Sequence, residues 1–128
     1  MKGEHMNPLN MLNKYGQSVW LDYIRRDMIH NGELPDLIGK DGLAGITSNP
    51  AIFEKAIANS DIYDERIREL AHEGLSATEI YDVLSIEDVG AAADLFRSVY
   101  RKTDGRDGFV SLEVNPHLAH DTEGTIRE

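Results

Sequence analysis

Short apolar runs alternate along this chain with longer segments in which apolar residues recur at helical spacing. The first run, Ser18-Val19-Trp20-Leu21-Asp22-Tyr23, reads as a strand. It leads into Arg25 to Leu37, where Met28, Ile29 and Leu34 or Leu37 line one face of a helix that Pro35 and the glycines at 32, 39 and 42 are expected to interrupt. The second run, Leu43 to Thr47, stops at Ser48-Asn49-Pro50, because proline cannot continue a central strand but suits the first turn of a helix. Ile52, Phe53, Ala56 and Ile57 then form a stripe for packing on a sheet, and Asn59-Ser60-Asp61 punctuates it. Ile62, Tyr63, Ile67 and Leu70 make a further stripe. Ser76-Ala77-Thr78-Glu79 has capping-box spacing ahead of Ile80, Tyr81 and Leu84, and a separate helix is expected from Val89 through Phe96 to Tyr100. The third apolar run, Phe109 to Val114, is closed by Asn115-Pro116, and Asp121-Thr122-Glu123 is placed to start a last helix.

Three strands separated by helices predict a parallel sheet, since parallel neighbours need a crossover and a helix is the usual one. The fold class is therefore α/β. Spacing does not separate an open doubly wound sheet from part of a (β/α)8 barrel. A full barrel needs about 250 residues, and 128 residues leave room for one domain, residues 1–128, and for an incomplete barrel if it is one.

Composition narrows the functional classes. A net charge of −10 repels phosphate backbones and anionic lipid, so nucleic acid and membrane are not expected partners. The basic clusters Arg25-Arg26 and Arg97 with Arg101-Lys102 are short and read as solvated faces. With no cysteine there are no disulfides, thiolate metal sites or thiol nucleophiles. The start of the chain, Met1 to Pro8, lacks the apolar region of a signal peptide and no run reaches the length of a membrane span, so a cytoplasmic location is expected.

Each strand carries a polar side chain within it or at its carboxyl end: Asp22, Asn49 and Glu113. A carboxylate in a low-dielectric interior is costly unless it is paired or protonated. In parallel α/β folds the carboxyl ends of the strands are where ligands bind, so the topology would bring all three together. Each has a plainer alternative. Asp22 would pair with Arg25 or Arg26, Asn49 would cap the helix beginning at Pro50, and Glu113 would face water from an edge strand, although Phe109, Val110, Leu112 and Val114 around it look buried on both faces. His117, His120 and Asp121 lack metal-site spacing and read as capping and loop residues, so no metal site is expected. No phosphate-binding glycine loop or nucleophile elbow occurs.

Gly16–Arg26, Gly45–Ile57 and Gly105 through Glu113 to Gly124 carry these same residues, and together they resemble the amino-terminal part of transaldolase of the longer bacterial type. The resemblance covers nearly everything from Asn7 onward. It implies the first three or so βα units of a (β/α)8 TIM barrel and no second domain. The implied activity moves a dihydroxyacetone unit from sedoheptulose 7-phosphate or fructose 6-phosphate to an aldose phosphate in the non-oxidative pentose phosphate pathway, without metal or organic cofactor. In that family a fourth-strand lysine forms a Schiff base with the ketose. By resemblance Asp22 handles protons and a substrate hydroxyl, Glu113 works through a catalytic water, and Asn49, with Thr47 and Ser48 of the same motif, holds the substrate.

The lysines here are Lys2, Lys14, Lys40, Lys55 and Lys102, and each falls in an expected tail, loop or helix. None matches the Schiff-base position, nor does any residue match the family's phosphate-binding arginine. The expectation is that the chain is inactive alone, with sugar phosphates as substrates of a longer parent and with self-association through open sheet edges. The competing expectation is a non-catalytic fragment that folds alone and binds a sugar phosphate or a protein partner.

Overall fold

The computed structural model describes residues 7–128. The amino-terminal tail with Lys2 lies outside the described residues. Three strands, β1 (Val19–Asp22), β2 (Leu43–Thr47) and β3 (Phe109–Val110), form a parallel sheet in the order β1-β2-β3. Asp22 stands opposite Thr47, Leu21 opposite Ile46, and Gly45 lies between Trp20 and Phe109. Side chains alternate across a strand, so Trp20, Asp22, Gly45, Thr47 and Phe109 share one face. Leu21, Ile46 and Val110 occupy the other, which packs against helices.

β2 is central and reads Leu-Ala-Gly-Ile-Thr, buried over its first four residues as expected for a strand covered on both faces. Gly45 is required there. A Cβ at this position would stand 2.5 Å from the Trp20 indole and 2.8 Å from the Phe109 carbonyl oxygen.

Before β1 lies α1 (Pro8–Leu12), followed by a 3-10 turn over Asn13–Tyr15; the apolar pattern gave no sign of α1. The Asn7 side chain caps it by accepting from the Leu9 N–H, while the Asn10 amide donates to the Lys40 carbonyl. That bond satisfies one of the carbonyls left over at a helix end.

The helical segment after β1 is two helices, α2 (Arg26–His30) and α3 (Glu33–Asp41). The break falls at Gly32, whose φ of 94° is left-handed. Pro35 and Gly39 do not interrupt α3. Proline in the first turn removes an N–H that has no partner within the helix in any case. Gly42 ends α3 with a φ of 71° rather than breaking it.

Two helices follow β2: α4 (Pro50–Ala58) and α5 (Asp64–His72). The two helices expected between Thr78 and Tyr100 are one, α6 (Ala77–Lys102), whose 26 residues span about 39 Å. Its capping box is complete, with Ser76 Oγ accepting from the Glu79 N–H and the Glu79 carboxylate accepting from the Ser76 N–H. Its continuity has a packing reason. Leu84 joins Ala56, Tyr63 and Leu70 in a small cluster, and Ala92 and Phe96 join the main core beneath the sheet with Ile24, Met28, Leu34, Ile46 and Phe53. One rigid rod therefore serves both clusters.

β3 is shorter than predicted. Beyond Val110 only the Ser111 N–H continues toward β2, donating to the Ile46 carbonyl at 2.9 Å. Glu113 lies outside the strand. Phe109, Leu112 and Val114, expected to be buried on both faces, are 45%, 42% and 39% exposed. No strand among the described residues pairs with the outer edge of β3, and the Phe109 ring packs edge-on against Tyr100 alone among the aromatic residues described. The chain then passes through a 3-10 turn at Pro116–Leu118 to α7 (Thr122–Arg127), capped by Asp121. Among the described residues no helix is long and apolar enough to cross a membrane.

Candidate functional site

The carboxyl ends of the three strands gather a small polar set. Thr47 Oγ1 donates to Asp22 Oδ1 at 2.7 Å across the β1–β2 pair. The next residue, Ser48, is fully buried, and its Oγ donates to the Ser111 carbonyl at 2.5 Å, tying the end of β2 to the segment leaving β3. Asn49 has extended backbone and its Oδ1 accepts from the Ile52 N–H at 3.0 Å, so the capping alternative is realised. Its amide nitrogen makes no hydrogen bond among the described residues.

The alternative in which Asp22 pairs with Arg25 or Arg26 is not realised, and both arginines are engaged elsewhere. Arg25 bonds Asp27, and Arg26 bonds Asp88 and Glu87. Thr47 is the partner of Asp22 instead. Glu113 is exposed and is not joined to Asp22. It lines a groove with Pro50, Tyr81 and His117, and that lining does not include Asp22, Thr47 or Asn49. The carboxylate of Asp121 is occupied in capping α7, accepting from the Gly124 N–H, and among the described residues no group of three or more metal-ligating side chains is assembled.

Beneath the strand ends lies a buried polar network that the sequence reading missed. Arg26, expected on a solvated face, has a side chain only 15% exposed. Its Nε donates to Asp88 Oδ1 at 2.6 Å and its Nη2 to Glu87 at 3.0 Å. Tyr63 OH donates to Asp88 Oδ2 at 2.8 Å, and the Arg26 guanidinium lies 5.0 Å above the Tyr63 ring. Arg66 closes the outer side on Glu87. A signal was present: Leu84, Asp88, Ala92 and Phe96 follow at four-residue spacing, so Asp88 occupies a core-facing register where an apolar residue belongs.

Burial pushes the Tyr63 hydroxyl well up, and burial likewise raises the Asp88 carboxyl despite its bonds to Arg26 and Tyr63. Glu87 moves the other way. Its partial burial opposes ionisation, but the hydrogen bonds from Arg66 and Arg26 outweigh it and hold the carboxyl below its ordinary range. A carboxylate depressed on folding stabilises the fold above its unfolded pKa, about 4.3 for glutamate, and that contribution is lost as pH falls through the folded value. Asp88 has the opposite sign, favouring the fold at low pH and losing that contribution as pH rises through its folded value. Urea midpoints measured from about pH 5 to about pH 3 are expected to fall less steeply in Glu87→Gln than in the parent chain. Equal slopes would show that Glu87 carries none of the acid sensitivity.

The sequence model of the family described as Transaldolase/Fructose-6-phosphate aldolase matches residues 19–128. Transaldolase 2 of Nostoc punctiforme is 49% identical over 122 residues, covering 95% of this chain and 32% of the relative. The transaldolase of Trichodesmium erythraeum is 49% identical with the same coverage, and that of Thermobifida fusca is 48% identical over 95% of this chain and 33% of its own. The chain spans about a third of the length of the curated relatives it matches.

Proposed function

The chain belongs to the transaldolase/fructose-6-phosphate aldolase family, and on that premise we propose that it supplies the first three strands of a Schiff-base transaldolase whose lysine stands outside these 128 residues. The reaction moves a dihydroxyacetone unit from a ketose phosphate to an aldose phosphate. A lysine amine adds to the ketose carbonyl and water leaves, giving an iminium. A base then takes the proton of the C4 hydroxyl, the C3–C4 bond breaks with its electron pair drawn into the iminium, and the shortened aldose departs. The retained three-carbon unit adds to the acceptor aldehyde by the reverse steps.

Asp22 is assigned the hydroxyl proton, Asn49 the grip on the three-carbon unit, and Glu113 the proton transfers of carbinolamine formation and dehydration through a water. The observation that carries the proposal is the juxtaposition at the ends of β1 and β2. There Asp22 is oriented by Thr47 at 2.7 Å, and Asn49, two residues beyond Thr47, caps α4 through its oxygen while its amide nitrogen makes no hydrogen bond among the described residues. Positioned acid and base groups of this kind are worth about 10²–10⁴ each in rate.

An external lysine is favoured by where the lysines stand. Lys14 lies in a 3-10 turn, Lys40 in α3, Lys55 in α4 and Lys102 at the end of α6, and all four are exposed. A Schiff-base lysine is ordinarily activated by desolvation in an apolar pocket or by a cationic neighbour.

Borohydride trapping with fructose 6-phosphate, read by intact mass, tests the proposal on two proteins. One is the 128-residue chain; the other is the same chain joined to the remaining two thirds of the Nostoc punctiforme relative. A stable mass increase is expected only on the joined protein. An adduct on the short chain would make one of its own lysines the nucleophile. No adduct on either would remove the transaldolase assignment and leave a non-catalytic binding fragment.

A further inference from the structure

α2 begins at Arg26 without a capping side chain of its own. Its N-cap, Arg25, has extended backbone and makes no side-chain cap bond. The Arg26 N–H would be one of the unpaired donors of a helix start. It is taken instead by Tyr63 OH at 3.0 Å, from a residue 37 positions away at the head of α5. The same hydroxyl donates to Asp88 Oδ2, and the other Asp88 oxygen accepts from the Arg26 side chain. The backbone and the side chain of one residue are thus fixed in a closed ring by α5 and α6 together.

Arg26 is four residues beyond Asp22. The intervening turn has one further anchor, Ile24, which is fully buried in the main core, while Tyr23 and Asp22 are exposed. The strand end is held from the other side by Thr47. Motion of the turn is therefore limited at two points, one apolar and one polar; at the polar one the Arg26 side chain is held by Asp88 and Glu87, and the hold on its backbone N–H depends on a single hydroxyl.

We propose that Tyr63, Asp88 and Arg26 are positioning residues for Asp22, fixing the β1–α2 turn so that the Asp22 carboxylate keeps its place against Thr47. What Asp22 then does rests on the transaldolase reading; the coupling itself does not. Tyr63→Phe keeps the ring and removes the hydroxyl. In 1H–15N spectra of the 128-residue chain it is expected to shift or broaden the amide signals of Asp22, Tyr23 and Thr47. Leu70→Ala is the control, since Leu70 is buried in the same small cluster but makes no bond to the network. It is expected to lower stability at least as much and leave those signals in place.

Unchanged Asp22 and Thr47 signals in Tyr63→Phe, or equal changes in both variants, would overturn the proposal. Should Tyr63→Phe fail to fold, Asp88→Asn, which retains one acceptor oxygen, is read in the same way. In the joined protein Tyr63→Phe is expected to lower kcat about tenfold or more with KM unchanged, as small misplacements of a reacting group do. An unchanged kcat would overturn the positioning role. Moved Asp22 signals together with no activity in the unmutated joined protein would instead sink the transaldolase reading and leave the coupling standing.

Discussion

Asp88→Ala is expected to lower the unfolding free energy by about 3–5 kcal/mol, the usual cost of removing one member of a buried ion pair. Asp88 is 2% exposed and accepts from both Arg26 Nε and Tyr63 OH. Alanine would leave the Nε of a mostly buried guanidinium unpaired, with only Glu87 still held at Nη2, and would leave the Tyr63 hydroxyl with no acceptor for its proton. Against a typical total of about 5–15 kcal/mol for a domain, that loss is a large fraction. Urea unfolding followed by the fluorescence of Trp20, the one tryptophan, gives the measurement. A loss under about 1 kcal/mol would mean that water replaces the carboxylate at no cost. The paired replacement Arg26→Met with Asp88→Leu should recover much of the loss, because apolar groups of similar volume often substitute for a buried ion pair.

The location of this pair explains the size of the effect. Asp88 sits on α6 between Leu84, which faces the small cluster, and Ala92, which faces the main core. Its partners come from the start of α2 and the head of α5. Removing it loosens the joint between the two clusters and also the helix start that follows β1. Stability and site geometry are thus linked through one carboxylate.

Much of the fold was legible because it rests on local patterns. β2 appears over Leu43–Thr47 as the apolar run predicted, and Asn49-Pro50 and Ser76 with Glu79 start α4 and α6 where their capping chemistry placed them. What escaped depends on neighbours distant in sequence. Among the described residues no strand pairs with the outer side of β3, which the apolar run Phe109–Val114 cannot report. The continuity of α6 is set by two clusters that it must serve at once. α1 is held largely by Asn7 and Asn10 bonding the end of α3, and asparagines carry no periodic signal.

The candidate site divides in the same way. Asp22 and Asn49 stand out because polar residues at strand ends conflict with burial, Thr47 enters only with the motif that carries the resemblance, and adjacent register brings Asp22 and Thr47 into contact. The alternative partners of Asp22 were misjudged by proximity in sequence. Arg25 and Arg26 are three and four residues away, but Asp27 and Asp88 compete for them, and only the fold discloses Asp88 as a competitor.

Asp22→Asn in the joined protein is expected to reduce kcat by about 10²–10⁴ while leaving the fold almost unchanged. The substitution is nearly isosteric and retains an oxygen to accept from Thr47 Oγ1, so the 2.7 Å bond and the strand pairing have no reason to break. What it removes, on the role proposed for Asp22, is the capacity to take a proton from the substrate hydroxyl as the carbon–carbon bond opens. Thermal unfolding of the 128-residue variant should accordingly match its parent within the roughly 0.5 kcal/mol typical of exposed positions. Borohydride trapping on the joined Asp22→Asn protein should still yield an adduct, since in the proposed reaction Schiff-base formation precedes bond cleavage. Trapping without turnover would place the defect at cleavage, the step assigned to Asp22. Turnover within tenfold of the parent would sink that assignment and leave Asp22 as the strand-end partner of Thr47 alone.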